Sequence, residues 1–93
     1  MHLPLPTLPK LYEQEELGDK AIVHAKLQAL KLDWEWYIME SDGEGLFFGL
    51  VKGFETEMGY FSLDEIALAG VFIDTSFSPC TIEELRQELK KRD

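Results

Sequence analysis

Trp34-Glu35-Trp36-Tyr37-Ile38-Met39-Glu40 runs into Asp42-Gly43-Glu44-Gly45 and then into Leu46-Phe47-Phe48-Gly49-Leu50-Val51-Lys52. The first string is rich in strand formers. Alternation sends Trp34, Trp36 and Ile38 to one face and Glu35, Tyr37 and Met39 to the other. Asp-Gly readily supplies the positive φ of a tight reversal. The third string is apolar on both alternations, with Leu46, Phe48 and Leu50 on one and Phe47 and Val51 on the other. Such a strand is central and covered on both faces. Gly49 interrupts it, and close packing of a neighbour accounts for the missing side chain.

Toward the N-terminus, Ala21, Val23, Ala25 and Leu27 alternate with Ile22, His24 and Lys26, which predicts an earlier strand. Glu13 to Lys20 is polar and ends in the turn signal Gly18-Asp19. Residues 1–12 hold Pro4, Pro6 and Pro9. Each fixes φ and removes a donor, so this arm is expected to be extended. Leu3, Leu5, Leu8, Leu11 and Tyr12 give it apolar teeth, as in a strap lying on the core. Pro6-Thr7-Leu8-Pro9 also fits the loose PxxP pattern of peptide ligands. That pattern is short and common, and the strap is the preferred reading.

Toward the C-terminus, Gly53 to Gly59 is polar on one alternation, and Tyr60-Phe61 is expected to form a short strand. Ser62-Leu63-Asp64-Glu65 has the spacing of a capping box, with the Ser62 hydroxyl bonded to the Glu65 N–H and the Glu65 carboxylate to the Ser62 N–H. The short helix it opens stops at Gly70. A strand is expected from Val71 to about Phe77, broken at Pro79. Thr81-Ile82-Glu83-Glu84 repeats the box. The final helix then carries Ile82, Leu85 and Leu89 on one stripe, acids in its first turn and Lys90, Lys91 and Arg92 in its last. The expected fold is α+β: an antiparallel meander of about four strands, with a short helix and a C-terminal amphipathic helix packed against it.

The 93 residues suit one domain, an arm over 1–12 and a core over 13–93. A hydrophobic fraction of 45% with 29% charged residues is that of a folded chain. The net charge of −9 disfavours direct binding to nucleic acid or to anionic membranes. The lone cysteine, Cys80, makes no internal disulfide. The start lacks the basic and apolar regions of a secretory signal, and no run approaches the ~18 apolar residues of a membrane span. These features predict a cytoplasmic protein.

Chemistry-bearing residues are few. His2 adjoins the initiating Met, and His24 lies mid-strand, where a hydrogen-bonded or surface histidine is the ordinary reading. Cys80, just before a helix N-terminus, has no second cysteine or base to work with. The glycines form neither a GxGxxG nor a Walker pattern. Asp42 with Glu44, and Glu55 with Glu57, are paired carboxylates of the kind that bind a divalent ion or act as acid and base. Acids in turns and on strand faces are more often simply solvated. No enzyme activity, cofactor or metal is expected.

The charge is unevenly placed. Residues 33–65 hold nine acids and one base, Lys52, for a net of −8, whereas the rest of the chain nearly cancels. A meander would set the Asp42 turn and the Glu35, Glu55 and Glu57 alternation on one side, as a negative patch ringed by aromatics. Such a patch suits a basic protein groove; a solubilising surface is the plainer alternative.

Taken together, Leu8-Pro9-Lys10-Leu11-Tyr12, Trp34-x-Trp36-Tyr37, Glu40-x-Asp42-Gly43, Phe47-Phe48-Gly49 and Gly59-Tyr60-Phe61-Ser62-Leu63-x-Glu65 resemble a small acidic bacterial domain-of-unknown-function family found on plasmids, integrative elements and phages. The resemblance runs from Leu8 to about Pro79. One departure is that Phe72-Ile73 precede Asp74 where family members often carry a charged pair. The family supplies no catalytic residues. It implies a mobile-element setting, in which small acidic proteins often inhibit host defence, as anti-CRISPR or anti-restriction proteins do.

The expected function is thus a non-enzymatic acidic protein-binding module directed at a basic protein surface, such as the nucleic-acid-binding groove of a host defence complex. Glu35, Asp42, Glu44, Glu55 and Glu57 would supply charge; Trp34, Trp36 and Tyr37 would supply anchors. Two other readings stay open: an accessory domain without a defence role, and a small metal-dependent enzyme.

Overall fold

The computed structural model describes residues 3–92, and His2 lies outside them. Two 3-10 turns over Glu15–Lys20, joined at Gly18 with φ +53°, lead into β1 (Ile22–Val23) and β2 (Ala25–Ala29). Then come β3 (Glu35–Ser41), β4 (Leu46–Lys52), β5 (Thr56–Ser62), α1 (Leu63–Ala67), β6 (Val71–Ile73), β7 (Cys80–Thr81) and α2 (Ile82–Lys91). Five strands form one antiparallel sheet in the order β5-β4-β3-β2-β6, and β1 pairs with β7 beside it. The fold is the α+β meander, with five strands in the main sheet.

Three elements depart from the expected bounds. The strand over 21–27 breaks at His24, whose N–H donates to the Ile38 carbonyl at 2.9 Å. The short Tyr60-Phe61 strand is a full seven-residue β5, which sequence hides because most of it is exposed or half-buried. The strand begun at Val71 stops at Ile73, because Asp74 folds the chain into a turn: its Oδ1 accepts from the Ser76 N–H at 2.9 Å.

The central strand is β3 and not Leu46–Lys52, which lies beside it and is only partly buried despite its two apolar alternations. Glu35 to Glu40 are all buried, and alternation sends Trp36 and Ile38 one way and Tyr37 and Met39 the other. On the first face, Ala25, Leu27, Trp36, Ile38, Phe47 and Phe61 are closed over by Ile66 of α1 and by Leu3, Leu5 and Leu8 of the arm. The arm crosses this face through Leu3, Leu5 and Leu8, with the Ser41 N–H donating to the Pro9 carbonyl at 2.9 Å, whereas Leu11 stays out of the core and Tyr12 is exposed. On the second face, Val23, Tyr37, Met39 and Leu50 lie under Ile82, Leu85 and Leu89 of α2. Burying a stripe of this kind supplies most of a short helix's stability.

Both helices are capped. The Thr81 hydroxyl accepts from the Glu84 N–H at 3.1 Å while Glu84 Oε1 accepts from the Thr81 N–H at 3.0 Å. At α1 half of the expected box forms: Ser62 Oγ accepts from the Glu65 N–H at 3.1 Å, but the Glu65 carboxylate takes the Ser62 hydroxyl instead of its N–H.

A β-bulge reshapes the centre. The β3–β4 register slips between Ile38 and Glu40, leaving Met39 as the extra residue. Glu40 then pairs with Phe48 and turns to the α2 side with Met39, against simple alternation. There its buried carboxylate accepts from the Tyr12 N–H at 2.8 Å and from the Gln14 N–H at 2.9 Å. Buried Gln14 donates from Nε2 to the Ile22 and Met39 carbonyls and accepts the Ile22 N–H at 2.7 Å. These bonds fasten the arm to β1 and β3 and hold Tyr12 at φ +70°, an uncommon conformation for a bulky residue.

Candidate protein-docking site

The acids of residues 33–65 do not form one patch. Glu35 is interior: Arg92 Nη2 stands 3.1 Å from its Oε1, and Lys26 Nζ 3.7 Å from its Oε2. The Tyr37 hydroxyl also donates to it, and Arg92 donates to that hydroxyl at 3.0 Å. Burial alone would raise the Glu35 carboxyl, but the Arg92 and Tyr37 hydrogen bonds and the Lys26 and Arg92 charges hold it below its usual pKa. Burial and the Glu35 hydrogen bond push the Tyr37 phenol up. This cluster pins the end of α2 to the sheet. Glu35 is therefore not a surface contact for a partner, and neither is Tyr37 or Trp36, which are core residues at 1% and 4% exposure.

Asp42 and Glu44 occupy the β3–β4 turn, one β4 length, about 23 Å, from the β4–β5 turn that holds Glu55. Asp42 Oδ1 accepts from the Glu44 N–H at 2.7 Å and the Leu46 N–H at 3.0 Å. Those two bonds, Glu44 first, hold its carboxyl below the usual range. Asp42 shapes the turn and, with Glu44, stands a strand's length from Glu55.

Trp34, Glu55 and Glu57 do come together. Val51 pairs with both Trp36 and Glu57, so Glu57 shares the first face of the sheet, opposite to Glu35. A hollow of about 340 Å³ is lined by Trp34, Val51, Gly53, Phe54, Glu55 and Glu57. It adjoins a second of about 490 Å³, reached through the same Trp34 and Val51 and extending to Leu32, Glu65 and Leu68. Trp34 lies on Gly53 so closely that a Cβ there would stand 2.7 Å from the ring. Phe54 meets Trp34 edge to face at 5.3 Å between centroids and is 95% exposed. Leu68 is 90% exposed on the far side of the groove. Phe54 and Leu68 thus leave large apolar side chains exposed at the two hollows.

Sequence reading missed Phe54 and Leu68, since a single Phe in a polar turn and a Leu before a helix stop carry no periodic signal. It also missed a cleft on the opposite face, about 370 Å³ in volume, with Tyr12, Phe48 and Tyr60 as walls. The adjacent Tyr12 phenol holds the Tyr60 phenol above its usual pKa.

Nucleophile chemistry finds no support at Cys80. Burial, with the Glu84 charge adding, pushes its thiol up, away from the thiolate. Among the described residues, no three His, Cys, Asp or Glu side chains converge to hold a metal ion. Among the described residues, no helix is long and apolar enough to cross a membrane. No family model matches the chain, and neither curated proteins nor solved structures show significant similarity to it.

Proposed function

We propose that this protein is a non-enzymatic binding module that docks a basic protein partner in the Trp34–Phe54 groove. The observation that carries the reading is Phe54, 95% exposed against Trp34 and flanked by Glu55 and Glu57. An aromatic anchor with an acidic rim suits an apolar side chain set among lysines and arginines, with the charge speeding encounter. Charge also argues against nucleic acid as the direct ligand. In the mobile-element setting that the family resemblance implies, the partner is a nucleic-acid-binding groove of a host defence complex, and the module inhibits it in the cytoplasm.

The test compares proteins captured from a host lysate by the native chain, by Phe54→Ala and by Glu55→Gln/Glu57→Gln, at low and high salt. A specific partner should be lost with Phe54→Ala and weakened by salt and by the double variant. Capture that is indifferent to all three changes overturns the reading.

A further inference from the structure

Strand β5 forms one edge of the sheet. The Leu63 N–H donates to the Gly45 carbonyl at 2.8 Å and the Gly53 N–H to the Glu55 carbonyl at 3.0 Å. Both pairs continue the β4–β5 register. Alternation therefore turns the backbone of Glu57, Gly59 and Phe61 toward β4 and that of Thr56, Met58 and Tyr60 outward. Among the described residues, no hydrogen bond from another element reaches those outward groups. The opposite edge, β6, is three residues long and so protected by brevity. At seven residues, β5 has neither proline nor lysine to blunt it. Its guard is charge. Every copy carries −9, which repels a second copy and attracts a basic strand.

Tyr60 borders a hollow on each face of this edge. On the first face lies the Trp34 groove, with Phe61 and Leu68 in its lining. On the second lies the aromatic cleft, where Glu15, Asp19 and Glu40 outnumber Arg86. Side chains of an added strand would point alternately into the two. The groove suits apolar side chains. Aromatic walls with carboxylates suit an alkylammonium or guanidinium group, which the ring faces and the acids both attract.

Given the reading of a basic protein partner, we propose that β5 takes an extended segment of that partner as a sixth strand, with its apolar side chains in the Trp34 groove and its lysine or arginine side chains in the Tyr12–Tyr60 cleft. The occupant is then a strand of alternating basic and apolar residues, bound through its main chain.

The probe is a peptide with capped ends, matched to the seven residues of β5 and alternating lysine with valine, titrated into the isotope-labelled full chain. Amide exchange at Thr56, Met58 and Tyr60 should slow about ten-fold or more at saturation. Met58→Pro removes one outward donor while sparing the β4 ladder, and should weaken binding about ten-fold relative to Met58→Ala, which keeps the donor. If Met58→Pro does not fold, Thr56→Pro at the start of the strand makes the same test. Binding that perturbs Trp34 and Phe54 but leaves the outward amides exchanging freely overturns strand addition and leaves the groove reading standing. Equal affinity for a peptide alternating glutamate with valine, or no binding of the lysine peptide, overturns the proposal. So does protection of these amides without peptide in a sedimenting dimer, which would make a second copy the occupant.

Discussion

The carbonyl of Tyr37 stands where the side chain of residue 49 would begin. A Cβ built on Gly49 falls on that oxygen, 2.9 Å from the Tyr37 carbonyl carbon and 3.3 Å from Ile38 Cα. Backbone of the central strand is what fills the space, so no rotamer change relieves the clash. Gly49→Ala is expected to cost about 3 kcal/mol or more. Thermal or denaturant unfolding measures it, and a loss under about 0.5 kcal/mol would show that the bulge can relax.

Glu35 is a source of pH-dependent stability. Its folded pKa lies below the ordinary value of 4.5, so its contribution is present above that value and is lost as pH falls through the folded pKa. The exposed carboxyls Asp42 and Glu84 and the half-buried Asp74 are also lowered, chiefly by hydrogen bonds from their own turns and cap. They remain in a Glu35→Gln variant. Urea unfolding at steps from pH 7 down to 3 should therefore fall less steeply below about 4.5 for Glu35→Gln than for the native chain. At pH 7, Arg92→Ala should cost about 2 kcal/mol, since the bonds it loses are to a buried charged group. Parallel profiles for native and Glu35→Gln would mean that Glu35 gains nothing from its partners.

Tyr12 is strained at φ +70° while its side chain is 62% exposed. Asparagine tolerates that conformation better. Tyr12→Asn should raise stability by about 0.5–1 kcal/mol. In the peptide titration the same variant should bind about ten-fold more weakly, because it loses one wall of the cleft. A more stable variant with undiminished binding would dissociate the strain from the cleft's function.

Phe54 separates surface function from stability. Phe54→Ala should leave the unfolding free energy within about 0.5 kcal/mol of the native value. The tryptophan emission should change, because the ring over Trp34 is gone. A large fall in stability would show Phe54 to be part of the core.

The facing of Trp34 through Met39 was legible because period-two alternation holds up to the bulge. Glu40 was not, since one inserted residue reverses the face of the next and nothing local announces it. Both cap positions were legible from spacing alone, and so was the Ile82, Leu85, Leu89 stripe. β5 was read as two residues because an edge strand alternates weakly. The acidic segment was visible as a count, but counts carry no positions. Glu35 and Glu57 look alike in sequence; what makes one structural is Arg92, 57 positions further on. Phe54 illustrates the converse: an apolar residue in a turn gains meaning only from the ring it stands beside.

The strand order divides the molecule by the length of chain each pairing must close. β3, β4 and β5 are joined by turns of four and three residues. By contrast, Leu27 meets Ile73 and Val23 meets Cys80 only after long excursions of the chain. Short closures cost less entropy and form sooner. Loop length thus predicts that the hairpins carrying the groove and the open edge form early in folding and that β6 and β7 close last. Weakening β6 or β7 will chiefly hasten unfolding, whereas weakening the β3–β4 hairpin will slow folding itself.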